Sequence, residues 1–417
     1  MRGFLVALMM LAATVATADD WRFGGHAKYQ FTRGAYDDTA LTAVLADGTP
    51  ADHDLDLRLK AEKRDGPWET VVHYELLGLY GDTLSARRTL AGLGYPLAAG
   101  VAGLPQDDRR LFDLTRDLSV GPQHAVVQRL DRLSLGYLGE GGVLRIGRQA
   151  ISWGNGLVFQ PLDIFNPFSL ITIDKEYKTG DDMLYCQQAF GGKGDVQAIV
   201  LPRRDPVSGK VAGDQGSVAL KYHQSFAGND VDVVLARHYD EALFGAGLVH
   251  NLGGAVVRLD LAVSDTQSDG RVSSLVINAD YSWVGFRRNM YGYLEYFHSG
   301  YGARTAADYS LPSQALSQRL ARGELFTLGS DYLATGVQVE ISPLVNVYNG
   351  IIINLHDASG FYQLRGVYDY RQNLQLQAGC NLPYGERGSE YGGVALVPGG
   401  PLLAPARSVY IKSAYYF

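Results

Sequence analysis

The side chains best suited to bind a small molecule are concentrated in one segment, residues 146–177 (IGRQAISWGNGLVFQPLDIFNPFSLITIDKEY). It combines aromatic and aliphatic side chains with amides and only a few charges. Rings and amides hold a solute by apolar contact and hydrogen bonding, whereas acid–base catalysis needs a positioned proton donor or acceptor. Large apolar patches are rarely left exposed, so we expect this segment to be buried inside the protein.

Residues for catalysis or metal binding are not grouped in this way. The histidines considered as acid–base candidates are His73, His223, His238, His298 and His356. None of them has a serine nearby in a Gly-x-Ser-x-Gly setting. No pair has His-x-x-x-His spacing with a third ligand, as a zinc site would need. The sequence therefore predicts no enzyme activity, no catalytic residue, no metal site and no cofactor.

Most of the chain alternates apolar and polar residues at a period of two, which indicates β-strands with two different faces. In residues 21–32, for example, Phe23, Tyr29 and Phe31 share one face. Short turns rich in Gly, Asn and Asp alternate with longer connections. We predict an all-β protein, a transmembrane antiparallel β-barrel of about 18 strands, with 16 as the alternative count. A soluble sandwich or propeller would not need this asymmetry of connections.

The apolar faces of the predicted strands should meet lipid, because a charge at mid-bilayer costs ~2–4 kcal/mol. The opposite faces then line a water-filled lumen, since 16 to 18 strands enclose more space than side chains fill. Acids and bases on them are nearly balanced, which predicts weak ion selectivity, and for any single residue we favour a cross-strand ion pair. These lumen residues are Asp54, Arg58, Lys60, Glu75, Arg132, Arg145, Lys221, Arg258, Asp260, Asp280, Glu295, Glu340, Arg365 and Asp369.

The start of the chain predicts export. Residues 1–18 combine Arg2, an apolar stretch and the small residues Ala16-Thr17-Ala18, the pattern of a signal peptide, which leaves 19–417 for the barrel. No later apolar stretch reaches 18 residues and the mean hydropathy is −0.07, which argues against a helical membrane protein. The formal net charge of −7 argues against nucleic acid as a partner.

The chain ends on Phe417, after an alternating segment from residue 407 (RSVYIKSAYYF). This ending resembles the last strand of bacterial outer-membrane barrels, which the barrel-assembly machinery recognises. The resemblance implies passage through the periplasm to the outer membrane of a Gram-negative envelope. Outer-membrane lipids and lipopolysaccharide would then be the surroundings of the barrel.

Residues 145–170 contain Gly-Arg-Gln, Ser-Trp-Gly, Pro-x-Asp and Asn-Pro-Phe in succession. This succession resembles that of porin-like outer-membrane proteins with little functional assignment, and the general likeness to Gram-negative porins covers the whole mature chain. It implies that the third long connection folds inward and narrows a pore. The segment lacks the run of acids facing a ladder of arginines that general porins have. A bracing loop without a role in selectivity is the alternative.

We predict a constriction formed by side chains of this loop: Trp153, Asn155, Phe159, Gln160, Asp163, Phe165, Asn166 and Phe168. Its few charges are Asp163, Asp174, Lys175 and Glu176. The loop base would be anchored at the lumen by Arg145, Arg148 and Gln149. Strict alternation points Arg148 toward lipid, so we expect a β-bulge at Gly147.

Two other connections should cover the entrance. Residues 89–104 are small and apolar, and residues 313–325 predict a short amphipathic helix with Ser313 as N-cap. Pairs of arginines on the outer loops are expected to contact anionic lipopolysaccharide, with steering of anionic solutes as the alternative. They are Arg87 and Arg88, Arg109 and Arg110, Arg203 and Arg204, and Arg319 and Arg322.

These features favour an outer-membrane channel for passive passage of small, in part moderately apolar, solutes. One alternative is a non-conducting structural or export-partner barrel of an envelope complex. A less favoured one is an outer-membrane lipase or protease. The sequence leaves open whether the barrel forms a homo-oligomer.

Overall fold

The computed structural model describes residues 21–46, 48–92, 104–169, 176–395, 397 and 399–417. The predicted signal peptide, and Asp174 and Lys175 of the third long connection, lie outside the described residues. The strands are β1 (Trp21–Ala35), β2 (Ala51–Asp65), β3 (Trp68–Gly81), β4 (Thr115–Val120), β5 (His124–Gly139), β6 (Gly142–Gln149), β7 (Asp181–Phe190), β8 (Gly194–Arg204), β9 (Val211–Phe226), β10 (Asn229–His238), β11 (Glu241–Leu252), β12 (Ala255–Thr266), β13 (Gly270–Gly285), β14 (Arg288–Ser299), β15 (Asp331–Ser342), β16 (Val345–Asn354), β17 (Gly360–Arg371), β18 (Leu374–Tyr384), β19 (Val394–Ala395), β20 (Leu402–Leu403) and β21 (Arg407–Tyr416).

The helices lie in the longer connections between the strands. They are α1 (Leu41–Leu45), α2 (Thr83–Gly92) and α3 (Gln314–Arg322), with a single 3-10 turn at Ala306–Asp308. Among the described residues, no helix has both the length and the apolar character needed to cross a membrane.

The strands form one closed antiparallel barrel. Apart from the short β4, β19 and β20, each strand pairs with its neighbours in the chain, and β21 closes the ring by pairing with both β18 and β1. The ring has 18 strands, which confirms the favoured count over the alternative of 16. Closure leaves no open edge, so the backbone N–H and C=O groups of the wall are paired within the sheet.

The connections at the two ends of the barrel differ in length, as the sequence predicted. Turns of two residues join β2 to β3 and β13 to β14 at one end. At the other end, residues 150–180, 300–330 and 385–406 form long connections. Three connections at this end are short, at 239–240, 267–269 and 355–359. All the elements that could narrow the lumen therefore come from one end.

The two faces of the strands have the expected opposite character. Ile277 and Tyr281 on the outer face are 44% and 48% exposed, whereas Arg58 on the lumen face is 1% exposed. Arg58 is neutralised across the strands, with Nη2 2.5 Å from Glu75 Oε1 and Nη1 2.6 Å from Asp131 Oδ2. Further lumen pairs join Arg145 to Glu69, Lys221 to Asp232, and Arg258 to Asp280. The expected cross-strand pairing of lumen charges is confirmed at these positions.

The pairing of strands in the wall changes where the chain leaves it for the third long connection. β6 pairs with β5 only over residues 133–139 of β5, and the first part of β5 pairs with β4 instead. Before β4, Arg110 forms an antiparallel bridge with Arg203 of β8. Residues 107–120 therefore span from β5 to β8 and complete the wall beside the ends of β6 and β7. We call these residues the wall insert.

Arg148, the second-last residue of β6, faces the wall insert. The pairing of β6 with β5 continues through Gly147 without a shift, so the expected bulge is wrong and Arg148 does not face the lumen. It is nevertheless buried, because the wall insert covers it. Its Nε and Nη2 each donate to Asp182 at 2.9 Å, and Nη1 donates to Asp107 at 2.7 Å. Gly147 is needed for a different reason: its φ is 116°, and a Cβ there would lie 2.2 Å from the Leu133 carbonyl oxygen.

We expect Arg148→Met to destabilise the barrel strongly. It leaves Asp182 buried without its cation and Asp107 with Arg110 as its remaining cation, and breaking a buried pair from one side costs about 3–5 kcal/mol. The readout is the denaturant midpoint of the refolded protein, followed by heat-modifiable migration in gels.

Arg237→Met is the matched control. Arg237 also pairs with an aspartate, Asp240, but its side chain is 72% exposed, and such surface pairs contribute at most about 1 kcal/mol. Equal midpoints for the two variants would contradict the structural role of Arg148.

Candidate functional site

The third loop, residues 150–180, begins by packing against the lumen face of the wall. Trp153 is buried, and its Nε1 donates to Gln197 Oε1 of β8 at 2.9 Å. Its ring meets the edge of Phe165, with centroids 5.4 Å apart. The wall residues in contact with this pair are apolar and come from β7 to β11: Met183, Tyr185, Ile199, Leu201, Ala219, Val234 and Leu243. The apolar character of the loop is explained by this burial.

Two buried carboxylates hold the backbone of the loop further along. Asp260 of β12 accepts from the backbone N–H groups of Asn155 at 2.5 Å and Gly156 at 3.2 Å. Glu295 of β14 accepts from the next three N–H groups, those of Leu157, Val158 and Phe159, at 2.6–2.9 Å. We call Asp260 and Glu295 the loop clamp. Five consecutive backbone donors are satisfied by it.

Among the residues that the structure describes, no cation lies opposite the loop clamp in the strand register. Asp260 lies opposite Gly247 and Val276, and both members of the clamp are fully buried. Asn278 supports the arrangement, since its Nδ2 donates to Glu295 at 3.0 Å and to the Asn155 carbonyl at 3.3 Å. Hydrogen bonds from N–H groups to a carboxylate are about twice as strong as neutral ones, which compensates for burying the charges.

The tip of the loop, at Phe159, packs against aromatic rings on β14 and β15. Phe159 stacks on Phe297 with centroids 4.5 Å apart and planes at 14°, and Tyr332 lies 5.5 Å away. Around this buried cluster are half-buried side chains from three connections: Val158 of the third loop, Leu325 and Phe326 of residues 300–330, and Tyr391 of residues 385–406. Three loops therefore meet at one apolar surface in the lumen.

Residues 300–330 and 385–406 are fastened to each other by Glu390. This carboxylate accepts from the Leu328 N–H at 2.7 Å, from Tyr332 Oη at 2.5 Å and from Asn354 Nδ2 at 2.7 Å. Burial raises the pKa of Glu390 to about 7, although these hydrogen bonds lower it.

The predicted helix is present as α3, with Ser313 as its N-cap.

Two of the predicted outer arginines form buried ion pairs within the protein. Arg319 Nη2 donates to Glu241 at 2.5 Å and Arg203 Nη2 donates to Asp181 at 3.0 Å, and both arginines are buried. Contact of these two arginines with lipopolysaccharide is therefore wrong. Arg88 remains exposed on α2.

The return limb of the loop closes on its first limb through a buried pair, Lys178 and Asp163. Lys178 Nζ also donates to the Ile151 carbonyl at 2.5 Å and to Ser152 Oγ at 3.2 Å. Burial raises the pKa of Asp163 to about 6 even though Lys178 lowers it, and burial lowers the pKa of Lys178. Burial therefore shifts both pKa values toward the neutral forms of this pair.

The return limb reaches the other side of the barrel at Tyr177. Its ring lies 4.4 Å from the Arg58 guanidinium and 4.3 Å from Lys60 Nζ, both on β2. Glu176 pairs with Lys28 of β1 and accepts from Tyr416 Oη at 2.7 Å. The loop is thus attached both to β8–β14 and to β1, β2 and β21.

The predicted site residues divide into two groups by burial. Buried are Trp153, Phe159, Asp163 and Phe165, at 1–4% exposure. Half-buried are Asn155, Gln160, Asn166 and Phe168, together with Leu157 and Val158. The rings of Trp153, Phe159 and Phe165 hold the loop against the wall, so the expectation that they contact the solute is corrected.

At the loop base, Arg145 pairs with Glu69. Gln149 is buried, and its Nε2 donates to backbone carbonyls, including that of Met183 at 3.3 Å. Sequence reasoning placed Asp260 and Glu295 in the lumen but assigned them to ion pairs, and so missed the clamp. The available signal was the absence of a base opposite either acid in the alternating pattern.

No protein-family model and no curated protein matches the sequence. Several solved structures match this chain in fold. OccAB2 of Acinetobacter baumannii superposes with a TM-score of 0.56 at 12% identity, over 96% of this chain and 98% of that chain. The fold is that of the outer-membrane porins. OccK5 (OpdH) of Pseudomonas aeruginosa gives 0.56 at 8% identity, over 96% and 98%. A BenF-like porin from Pseudomonas fluorescens Pf-5 gives 0.52 at 11% identity, over 96% and 100%.

We expect loss of the loop clamp to loosen the third loop without opening the barrel. In Asp260→Asn with Glu295→Gln, the charge-assisted bonds to the loop are lost or become neutral, at a cost of about 1.5–3 kcal/mol for each lost bond. Single-channel recordings should show higher and noisier conductance.

Glu340→Gln is the control for the clamp variants. It removes a lumen acid of β15 that bonds to Asn289 and does not touch the loop. Noise that rises equally in the control would contradict a specific effect of the clamp.

The Asp163–Lys178 pair predicts a pH dependence of stability. Because the folded-state pKa of Asp163 is raised from 3.8 to about 6, the folded protein binds more protons than the unfolded chain between these values. Its contribution to the free energy of unfolding is therefore present below pH 4 and falls by about 2–3 kcal/mol as pH rises to 6.

Asp163→Asn should lack this decline. Denaturant midpoints measured from pH 4 to pH 8 for both proteins provide the comparison. Parallel curves would show that Asp163 titrates normally.

Proposed function

We propose that the protein is a channel of the Gram-negative outer membrane, through which small, in part moderately apolar, solutes diffuse. The observation that supports this most directly is the third loop, held inside an 18-stranded barrel by two carboxylates of the wall. A ring of this size encloses more space than its side chains fill, so an inward loop sets the width of the passage. The porin fold of the similar structures agrees with this proposal.

The chemistry of the constriction supports the apolar preference. Its half-buried surface is formed by Leu157, Val158, Leu325 and Phe326. Partly exposed apolar side chains lower the cost of stripping water from an apolar part of a solute. Paired lumen charges on the wall contribute little net field, so ion selectivity should be weak.

The position of Phe417 at the seam of the barrel agrees with the proposed location. Phe417 is 46% exposed, and its N–H and C=O pair with Gly25 of β1 at 3.1 and 2.8 Å. This position at the closing seam suits recognition by the barrel-assembly machinery during insertion. Outer-membrane lipids and lipopolysaccharide are the proposed surroundings, and the oligomeric state is left to experiment.

The test is single-channel conductance of the refolded protein and of a variant lacking residues 155–168. Deletion removes the constriction, and should raise the conductance while the barrel still shows heat-modifiable migration. The deletion is best combined with Asp260→Asn and Glu295→Gln, because the clamp would otherwise be left buried and unpaired.

Two outcomes would count against this proposal. Unchanged conductance and solute selectivity after the deletion would mean that the loop only braces the barrel. A folded wild-type protein that never conducts would favour the non-conducting structural or export-partner barrel.

A further inference from the structure

Below the loop tip, one ring lies flat on the lumen wall. Tyr293 of β14 shares the lumen face with Glu295 and is half-buried beside the cluster of Phe159. A Cβ on Gly336 of β15 would lie 2.6 Å from Tyr293 Cε1 and 2.9 Å from its Cζ. Gly350 of β16 is directly opposite Gly336, and its Cβ would lie 3.5 Å from Tyr293 Oη. The ring therefore rests across a pair of glycines, with one face on the backbone.

A second ring continues this surface. Tyr348 lies two residues before Gly350 on the same face of β16 and is also half-buried. The Arg365 guanidinium of β17 stacks over it at 4.4 Å. Beside the ring, Gln338 Nε2 donates to Asn346 Oδ1 at 3.2 Å. We call Tyr293 and Tyr348 the tyrosine platform. It combines ring faces with neutral amides and one guanidinium.

The platform matches flat aromatic solutes better than sugars or carboxylates. Directly above it are the ring cluster of Phe159 and the apolar side chains Leu325 and Phe326, which a polyhydroxylated ring would not match. An anion would need a cation to compensate for its lost hydration. The described lumen cations Arg58 and Arg258 already have carboxylate partners, and the Arg365 guanidinium at the platform is stacked on the Tyr348 ring. Offset stacking on tyrosine needs no charge.

We propose that the tyrosine platform is a binding site for uncharged arenes on their way through the lumen. This inference rests on the proposed channel function and specifies its solute class. The third loop and the residues 300–330 deliver the solute past an apolar surface, and the platform holds its ring face until it leaves toward the short-turn end.

The test is single-channel current in the presence of 4-hydroxybenzyl alcohol. Wild type should show transient blockades, and Tyr293→Ala should shorten their duration about 3- to 10-fold, as expected for loss of one stacking partner. Tyr293→Phe keeps the ring and should retain the blockades. Tyr348→Ala is the second variant and should also shorten them.

Tyr281→Ala is the matched control, because Tyr281 lies on the outer face of β13 and is 48% exposed. Its blockades should equal those of wild type. Heat-modifiable migration confirms that each variant is folded.

Three outcomes would overturn the inference. The first is an equal blockade duration in wild type and Tyr293→Ala. The second is a longer blockade by methyl β-glucoside than by the arene. The third is a tenfold longer blockade by 4-hydroxybenzoate, which would assign the site to a cation. A wild-type barrel that passes no potassium chloride current refutes the channel itself, and it does so before any arene is added.

Discussion

The interaction on which the site depends is the hydrogen bonding of five consecutive backbone N–H groups to Asp260 and Glu295. A segment without helix or strand has no internal partners for its backbone, and unsatisfied donors are costly once water is excluded. Carboxylates solve this problem because each has several acceptor sites and binds N–H groups strongly. The loop and the buried charges therefore stabilise each other.

Bringing a loop into the lumen also creates a problem for the wall. β6 and β7 are short strands, and beside their ends residues 107–120 complete the wall between β5 and β8. Arg148 connects the strands that flank the loop to the wall insert, because it donates to Asp182 of β7 and to Asp107 of the insert. The position of the loop is thereby coupled to the integrity of the barrel wall.

Polar and apolar groups have separate roles inside the barrel. Charged side chains largely form ion pairs across strands or hold the loops in place, as Arg319 does with Glu241. The surface at which the three loops meet is apolar and aromatic. Under the proposed channel function, a lumen organised in this way is expected to select solutes by shape and hydration more than by charge, since paired charges produce little net field.

Much of the fold could be predicted from the sequence because the pattern of a β-barrel is local. A period of two determines which side chains meet lipid, and turn residues determine where strands end, so 18 strands and an asymmetric set of connections were predicted. The helix at Ser313 was predicted for the same reason. Apolar composition also indicated that residues 146–177 are buried.

What only the tertiary structure decided is which partners these residues meet. Trp153, Phe159 and Phe165 hold the loop rather than line the passage, and Arg148 binds an insert that lies 41 residues away in sequence at Asp107. Asp260 and Glu295 find the loop more than 100 residues away. Alternation assigns a residue to a face, but a contact between distant segments depends on closure of the ring and on the path of the loop inside it. The sequence therefore determined the barrel and its faces, and the three-dimensional packing determined the site.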